Sequence, residues 1–285
     1  MATFFNQATL SYNGNVTNSN VVTGEFLEVL SVTKTAVQDD YVANDDITYV
    51  ISIVNSGTTA FTGPTLTDDL GAYPFGDGEL VPLDYVEGSV RYYVNGVLQA
   101  APAVTTTDDQ LVISGINVPA GGNAMIIYEV DANEFAPLGV DDSITNEVTV
   151  TGGGISTDVT AEETINTEDR AVLTISKSLS PTTVAENGQL TYTFVIQNSG
   201  NTPAVATDDV IVTDTFDPIL SNITVTFNGE VWTEGVEYTY DETTGEFATI
   251  PGQITVPAAT YTQDEETGVW ITNPGVAVLT VTGTV

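Results

Sequence analysis

Lys34, Asp68 and Asn146 each stand on a strand face that is otherwise apolar. Lys34 shares its face with Leu30 and Val32, Asp68 with Leu66 and Leu70, and Asn146 with Ile144, Val148 and Val150, because side chains two apart on a strand point the same way. The pattern recurs: Lys177 follows Leu173 and Ile175, and Asp214 lies between Val212 and Phe216. The two lysines are half of the four cations in the chain, and both occupy this one position. An ammonium or carboxylate left unpaired in a core costs several kcal/mol, so groups aimed inward need partners. Two noncovalent arrangements meet that demand: a buried Lys–Asp pair capped by the Asn amide, or a lysine whose head reaches water at a strand end.

The elements that carry these residues are repeated. SVTKTAVQDDYVANDDITYVISIVNSG (31–57) aligns without a gap on TISKSLSPTTVAENGQLTYTFVIQNSG (174–200), the lysines lying 143 positions apart (177 − 34). LTDDL (66–70) answers to VTDTF (212–216), and YYVNGV (92–97) to TFNGEV (226–231), each of the latter pair with the Asn-Gly of a tight hairpin. VPAGGNAMIIYEV (118–130) corresponds to VPAAT…VAVLTVTGTV. Val, Ile, Thr and Tyr alternate with polar residues between Gly, Asn, Asp and Pro punctuation from end to end, which predicts an all-β chain of antiparallel strands. The first repeat closes with SITNEVTV (143–150), then Gly152-Gly153-Gly154 and the extended ISTDVTAEETI; the second has no such continuation. Residues 3–26, TFFNQATLSYNGNVTNSNVVTGEF, read as that piece, a strand, an Asn-Gly turn at 13–14 and an extended segment, with Asn6 in the place of Asn146. The expected organisation is an N-terminal arm at 1–26, a first domain at 27–168, and a second at 169–285 lacking its final strand. Phe4, Asn6, Ala8 and Leu10 share one face of a donor strand, 3–12, that completes the second domain of a neighbouring copy by main-chain pairing. Head-to-tail contacts of this kind produce filaments. Folding back onto the same chain, a free tail, and a cut from a longer repeat array are the competing readings, the cut array being the serious rival.

Composition narrows the function. The chain has 285 residues, 41% of them hydrophobic, enough for real cores. Its 39 acidic residues against four basic ones give a formal charge of −35, which disfavours nucleic acid and anionic membrane as partners. With no Cys and no His, the common triads and zinc sites cannot be assembled. The doublets Asp39-Asp40, Asp45-Asp46, Asp68-Asp69, Asp108-Asp109, Asp141-Asp142 and Asp208-Asp209 lack the spacing of a strong calcium loop. No metal and no cofactor are expected. No apolar run has transmembrane length, and MATFF has neither the basic residue nor the apolar core of a secretory signal. Either a leader has been removed or export proceeds without one.

KTAVQDDYVANDDITYVISIVNSG, LTDDLG, VPAGG and ITNEVTVTG, in that order, resemble the conserved repeat of bacterial surface proteins known as domain of unknown function eleven. That resemblance covers nearly the whole chain. It implies two tandem Ig-like antiparallel β-sandwiches and an extracellular surface location, with clostridial spore appendages among the similar proteins. The placement of Lys, Asp and Asn on first, middle and last strands is in turn similar to Cna-type adhesin domains. This likeness implies a Lys–Asn isopeptide bond, with a neutral amine attacking the carboxamide and the aspartic acid polarising it. Lys34 would join Asn146 with Asp68 assisting, and Lys177 would join Asn6 of the next copy with Asp214 assisting. The noncovalent pair stands beside this reading as its alternative.

The function expected is a structural subunit of a surface or spore-appendage fibre that polymerises with itself and has no enzymatic activity beyond its own crosslinking. A further surface protein would anchor it. The alternative is an adhesin stalk or binding module that uses loops such as GAYPFGDG, with Tyr73 and Phe75. A hydrolase is the weakest reading, since nothing marks a catalytic carboxylate couple among so many solvated ones.

Overall fold

A computed structural model describes residues 3–25, 29–107 and 110–285. The Asp108-Asp109 doublet and the join expected at 26–27 between arm and first domain lie outside these residues. The chain divides into two compact units. Unit 1 comprises Met1–Pro137 and Ser143–Asn166; unit 2 comprises Leu138–Asp142 and Thr167–Val285. The paired strands are antiparallel, and the helical content among the described residues is one 3-10 turn, Ala206–Asp208.

The strands needed below are, in chain order, β1 (Thr3–Asn6), β2 (Thr9–Tyr12), β3 (Asn15–Asn18), β4 (Val22–Glu25), β5 (Leu30–Ala36), β6 (Asp40–Tyr41), β7 (Asp46–Asn55), β8 (Pro64–Asp68), β9 (Arg91–Val94), β10 (Gln110–Ser114), β11 (Asn123–Ala132), β12 (Ser143–Gly152) and β13 (Val159–Thr167). They continue in unit 2 with β14 (Leu173–Ser180), β15 (Gln189–Asn198), β16 (Thr213–Thr215), β17 (Ser221–Phe227), β18 (Glu246–Thr249) and β19 (Gly275–Thr284).

Two six-stranded sheets face each other in unit 1. One runs β9-β11-β7-β5, extended by Val97–Leu98 beyond β9 and by Leu83–Tyr85 on β11. The other runs from Ala103–Thr107 through β10-β8-β12-β13 to β6. Period-two alternation sends Ile47, Tyr49, Ile51 and Ile53 of β7, and Ala124, Ile126, Tyr128 and Val130 of β11, into one buried face. Leu66, Leu111, Ile113, Ile144, Val148 and Val150 meet them from the opposite sheet. Each buried large side chain contributes about 1.5–3 kcal/mol.

Unit 2 repeats the first of these sheets but not the second. Its larger sheet runs β14-β15-β19-β17 and ends at Glu230–Val231. Leu190, Tyr192, Phe194, Ile196, Val225, Ala277, Leu279 and Val281 point inward from it. The facing sheet has three strands, β16-β18 and Tyr238–Tyr240. β8 of unit 1 pairs with β10 on one edge and β12 on the other. Its counterpart β16 pairs, among the described residues, with β18 alone. The Asn-Gly turns read from the sequence are present, with positive φ at Asn95-Gly96 and Asn228-Gly229, as a type I′ hairpin requires.

The arm is a hairpin about its Asn-Gly turn, and the donor strand expected over 3–12 is divided within it into β1 and β2. β1 pairs with β4 and β2 with β3, closing on Asn13-Gly14, both at positive φ. The return side carries one residue more between the two ladders, a bulge held by Ser19, whose amide donates to the Ala8 carbonyl and whose hydroxyl accepts from the Ala8 amide. Asn-Gly at the tip supplies the left-handed turn, and an isolated strand folds back on the nearest complementary edge, its own continuation. Phe4, Phe5, Leu10, Tyr12, Val16 and Val22 are all exposed there.

Candidate functional site

In unit 1 the sequence-predicted trio converges. Lys34 on β5 donates from Nζ to Oδ2 of Asp68 on β8 at 2.6 Å, both side chains fully removed from solvent. Tyr128 of β11 donates to the same oxygen at 2.5 Å, and the Leu70 amide donates to Oδ1 at 3.1 Å. The Lys34 ammonium lies 4.8 Å from the centroid of the Tyr49 ring, which stacks on Tyr128 at 5.7 Å. Asn146 of β12 is also fully buried, yet neither amide atom has a hydrogen-bond partner among the described residues, and nor does the Tyr49 hydroxyl.

Burial pushes the Lys34 amine below its ordinary value, against the pull of Asp68 toward the charged form. Burial likewise drives both phenols up, with the Asp68 charge adding to it. Asn146 lies near enough to both phenols to offset this in part, but at neither is hydrogen-bond geometry reached.

Two residues essential to this arrangement escaped the sequence reading. Tyr128 looked like one more core position in AMIIYEV; its signal was the hydroxyl, which must find a partner when a tyrosine is buried. Asp69 looked like half of a solvated doublet. Its Oδ1 accepts the amides of Gly71 and Glu147 at 2.9 Å each, and so fixes the backbone beside Asn146 against β8. Burial raises the Asp69 carboxyl above its usual range.

Unit 2 brings together Lys177 of β14 and Asp214 of β16, which form an ion pair through Oδ2. Here the lysine side chain is 40% exposed and the aspartate 17%. The ammonium lies 4.3 Å from the Tyr192 centroid and 5.5 Å from those of Phe194 and Phe216. A groove of about 360 Å³, bounded by Ile175, Lys177, Phe194, Val212 and Asp214, opens over the pair. In unit 1 that place belongs to β12 and Asn146. The Tyr128 hydroxyl also has no equivalent: Tyr49 is cross-strand to Tyr128, whereas Tyr192 is cross-strand to Val281. Asn6, with Phe4, Ala8 and Leu10, lies exposed on the arm hairpin, Asn6 paired with Val22.

The chemical content of the two sites follows. Unit 1 holds a buried amine, a carboxyl and an unsatisfied carboxamide, the set needed for amide exchange with release of ammonia. Among the described residues, the unit 2 site holds the amine and carboxyl without the carboxamide.

No protein-family model matches this chain, and no curated protein matches it. Among solved structures it is similar to the pilus backbone RrgB of Streptococcus pneumoniae, at 14% identity over 86% of this chain and 55% of that one, with a TM-score of 0.35. It is also similar to the collagen-binding subdomain of surface protein ACE of Enterococcus faecalis, at 7% identity over 51% of this chain and 100% of that one, TM-score 0.31. A third is the collagen-binding domain of surface protein RspB of Erysipelothrix rhusiopathiae, at 15% identity over 58% and 60%, TM-score 0.27. The chain thus spans about half the length of the pilus-backbone structure. Likenesses this distant identify neither a family nor a role.

Proposed function

We propose that the chain is the structural subunit of a bacterial surface fibre, the arm of each copy completing the short sheet of unit 2 in the next. The observation that carries this is the free edge of β16 over an open Lys–Asp pair, set against β8, whose same edge is covered by β12. A strand edge left unpaired among the described residues, beside an open groove that exposes Ile175 and Ile211, is costly to leave bare.

The register follows from unit 1, where Val148 pairs with Asp68 and Val150 with Leu66. Transferred through Asn146 and Asn6, it places Ala8 opposite Asp214 and Leu10 opposite Val212, with Asn6 entering the groove over Lys177. Lys177 Nζ then attacks Cγ of Asn6 after giving a proton to Asp214. The new C–N bond forms and the old one breaks; the surplus proton of the attacking nitrogen passes to the departing amide nitrogen, which leaves as ammonia and takes up the proton held on Asp214 as ammonium. The same exchange joins Lys34 to Asn146 within unit 1. The noncovalent form of the fibre keeps the strand pairing and omits both bonds. A surface setting, the spore surface included, rests on the resemblance in the repeat motifs and on the charge of −35.

Electron microscopy of purified chain tests the assembly: filaments are expected, and their persistence after deletion of residues 1–12 refutes it. Boiling in detergent tests the lock, since Lys177→Ala should turn resistant ladders into monomer bands. The adhesin-module reading has less behind it, because the Tyr73 hydroxyl is committed to the Phe135 carbonyl at 2.7 Å rather than offered to a ligand. Ligand binding by chains that never polymerise would favour it.

A further inference from the structure

We infer that the element one copy donates to the next is the whole hairpin 3–25, and that Gly24, on its return strand, determines whether it fits. This rests on the assembly proposed above and extends it beyond strand 3–12.

The counterpart of the arm in unit 1 is not a strand but the hairpin β12–β13. In it Asn146 pairs with Glu163, Ile144 with Ile165 and Ser143 with Asn166. In the arm Asn6 pairs with Val22, Phe4 with Gly24 and Thr3 with Glu25. From Thr3 to Asn6 the arm ladder matches that of β12–β13 pair for pair, and Val22, Gly24 and Glu25 take the places of Glu163, Ile165 and Asn166; beyond Asn6 the Ser19 bulge shifts the arm by one residue, so that Leu10 faces Thr17 where unit 1 pairs Val150 with Val159.

The return strand in unit 1 is not a bystander. Ile165 is fully buried, β13 pairs with β6, and the Asn166 amide donates to the Asp39 carbonyl at 3.1 Å. With the repeat offset of 143 (177 − 34), the segment facing Glu25 in a recipient is Thr182–Val184 of unit 2, which carries no strand pairing. The short sheet of unit 2 thus has room for two added strands, and the arm offers two.

Residue identity at the critical pair supports the same reading. Unit 1 fills it with Ile144 and Ile165, both buried. The arm fills it with Phe4 and Gly24, and the ring of Phe4 lies directly on Gly24: a Cβ there would stand 2.3 Å from Cζ and 2.6 Å from Cε1. One aromatic ring covers two aliphatic positions because its cross-strand partner has no side chain, the pairing known to rescue glycine in a sheet. Gly24 has no positive φ to demand glycine. Its identity answers to the ring above it.

The experiment uses full-length chain and measures filament formation by sedimentation and microscopy, with thermal unfolding as the control that both units remain folded. Gly24→Ile pushes the Phe4 ring off the hairpin face, and Phe4→Ile leaves a gap above Gly24. Each alone should slow filament growth at least about tenfold, and the double variant, which installs the unit 1 pair, should return to within about threefold of the parent. Gly24→Ile polymerising at the parental rate overturns the inference while leaving strand donation intact. Slow growth in both singles without recovery in the double overturns the claim that the two positions act as the Ile144–Ile165 pair does. Filaments from a chain lacking residues 1–12 would remove the underlying assembly as well, so the two failures are told apart.

Discussion

Replacing Asn146 with alanine discriminates the covalent and noncovalent readings of the unit 1 site by sign. If Lys34 and Asn146 are bonded, the bond closes a loop of 112 residues (146 − 34), and loop-closure entropy sets its contribution at about 5 kcal/mol. Losing it should lower the unfolding temperature of a unit of this size by roughly 10–20 °C. If they are not bonded, the substitution removes a buried amide whose atoms have no hydrogen-bond partner. The relief of about 1–3 kcal/mol of desolvation then offsets the small cavity left behind, and stability holds or rises. Calorimetry of the unpolymerised chain reads this directly, because only the unit 1 transition should move. Intact mass supplies the second readout: the parent should be lighter than its sequence by one ammonia for this site, and the variant should not. A parent at full sequence mass, with the variant as stable as the parent, refutes the crosslink and leaves the buried ion pair.

Further outcomes follow from the same geometry. In the Asn146→Ala variant the Lys34 amine is free to titrate; burial holds it below 10.5, so the unfolded chain binds more protons between the two values and stability should rise with pH up to about 10.5. The bonded parent should lack that slope, which denaturant titration at several pH values checks. Asp131 stands cross-strand between Asp46 and Asp84, and Asp46 first, then burial, raises its carboxyl above 3.8. Stability contributed by the protonated form is lost as pH rises through the raised value, so Asp131→Asn should stabilise unit 1 at neutral pH by about 0.5 kcal/mol, the scale of one cross-strand charge pair, seen as a higher denaturation midpoint. Tyr128→Phe removes a donor to the Asp68 carboxylate and should cost about 2 kcal/mol by the same assay. An acylating reagent should modify Lys177 and spare Lys34 in unassembled chain; protection of Lys177 there would contradict its exposed setting.

Much of this was legible in residue order. Parity placed Lys34, Asp68 and Asn146 inward, and the alignment of the repeats placed Lys177 and Asp214 in the matching positions, at offsets of 143 (177 − 34) and 146 (214 − 68), because a strand fixes side-chain direction every second residue. What parity does not convey is depth. Lys34 and Lys177 read alike, yet one is sealed and the other 40% exposed, since exposure depends on whether a further strand covers the edge. Partners across the sandwich were equally hidden: Tyr128 reaches Asp68 from a strand 60 residues away, and no local pattern records that meeting. The turn at Asn13-Gly14 was visible, but the seating of Phe4 on Gly24 arises only once the bulge at Ser19 has set the register of the two strands.

Under the proposed assembly the unequal sheets, six strands in one unit and three in its repeat among the described residues, would give a filament of such subunits an arrow. One extremity of that filament would end in a hairpin with nowhere to go and the other in a vacant seat. Growth at the two tips is then chemically distinct: a free peptide copying residues 3–25 would cap the vacant tip and leave the opposite one untouched. A nucleating or anchoring protein needs only one of the two halves, and which half it carries decides which way the filament points.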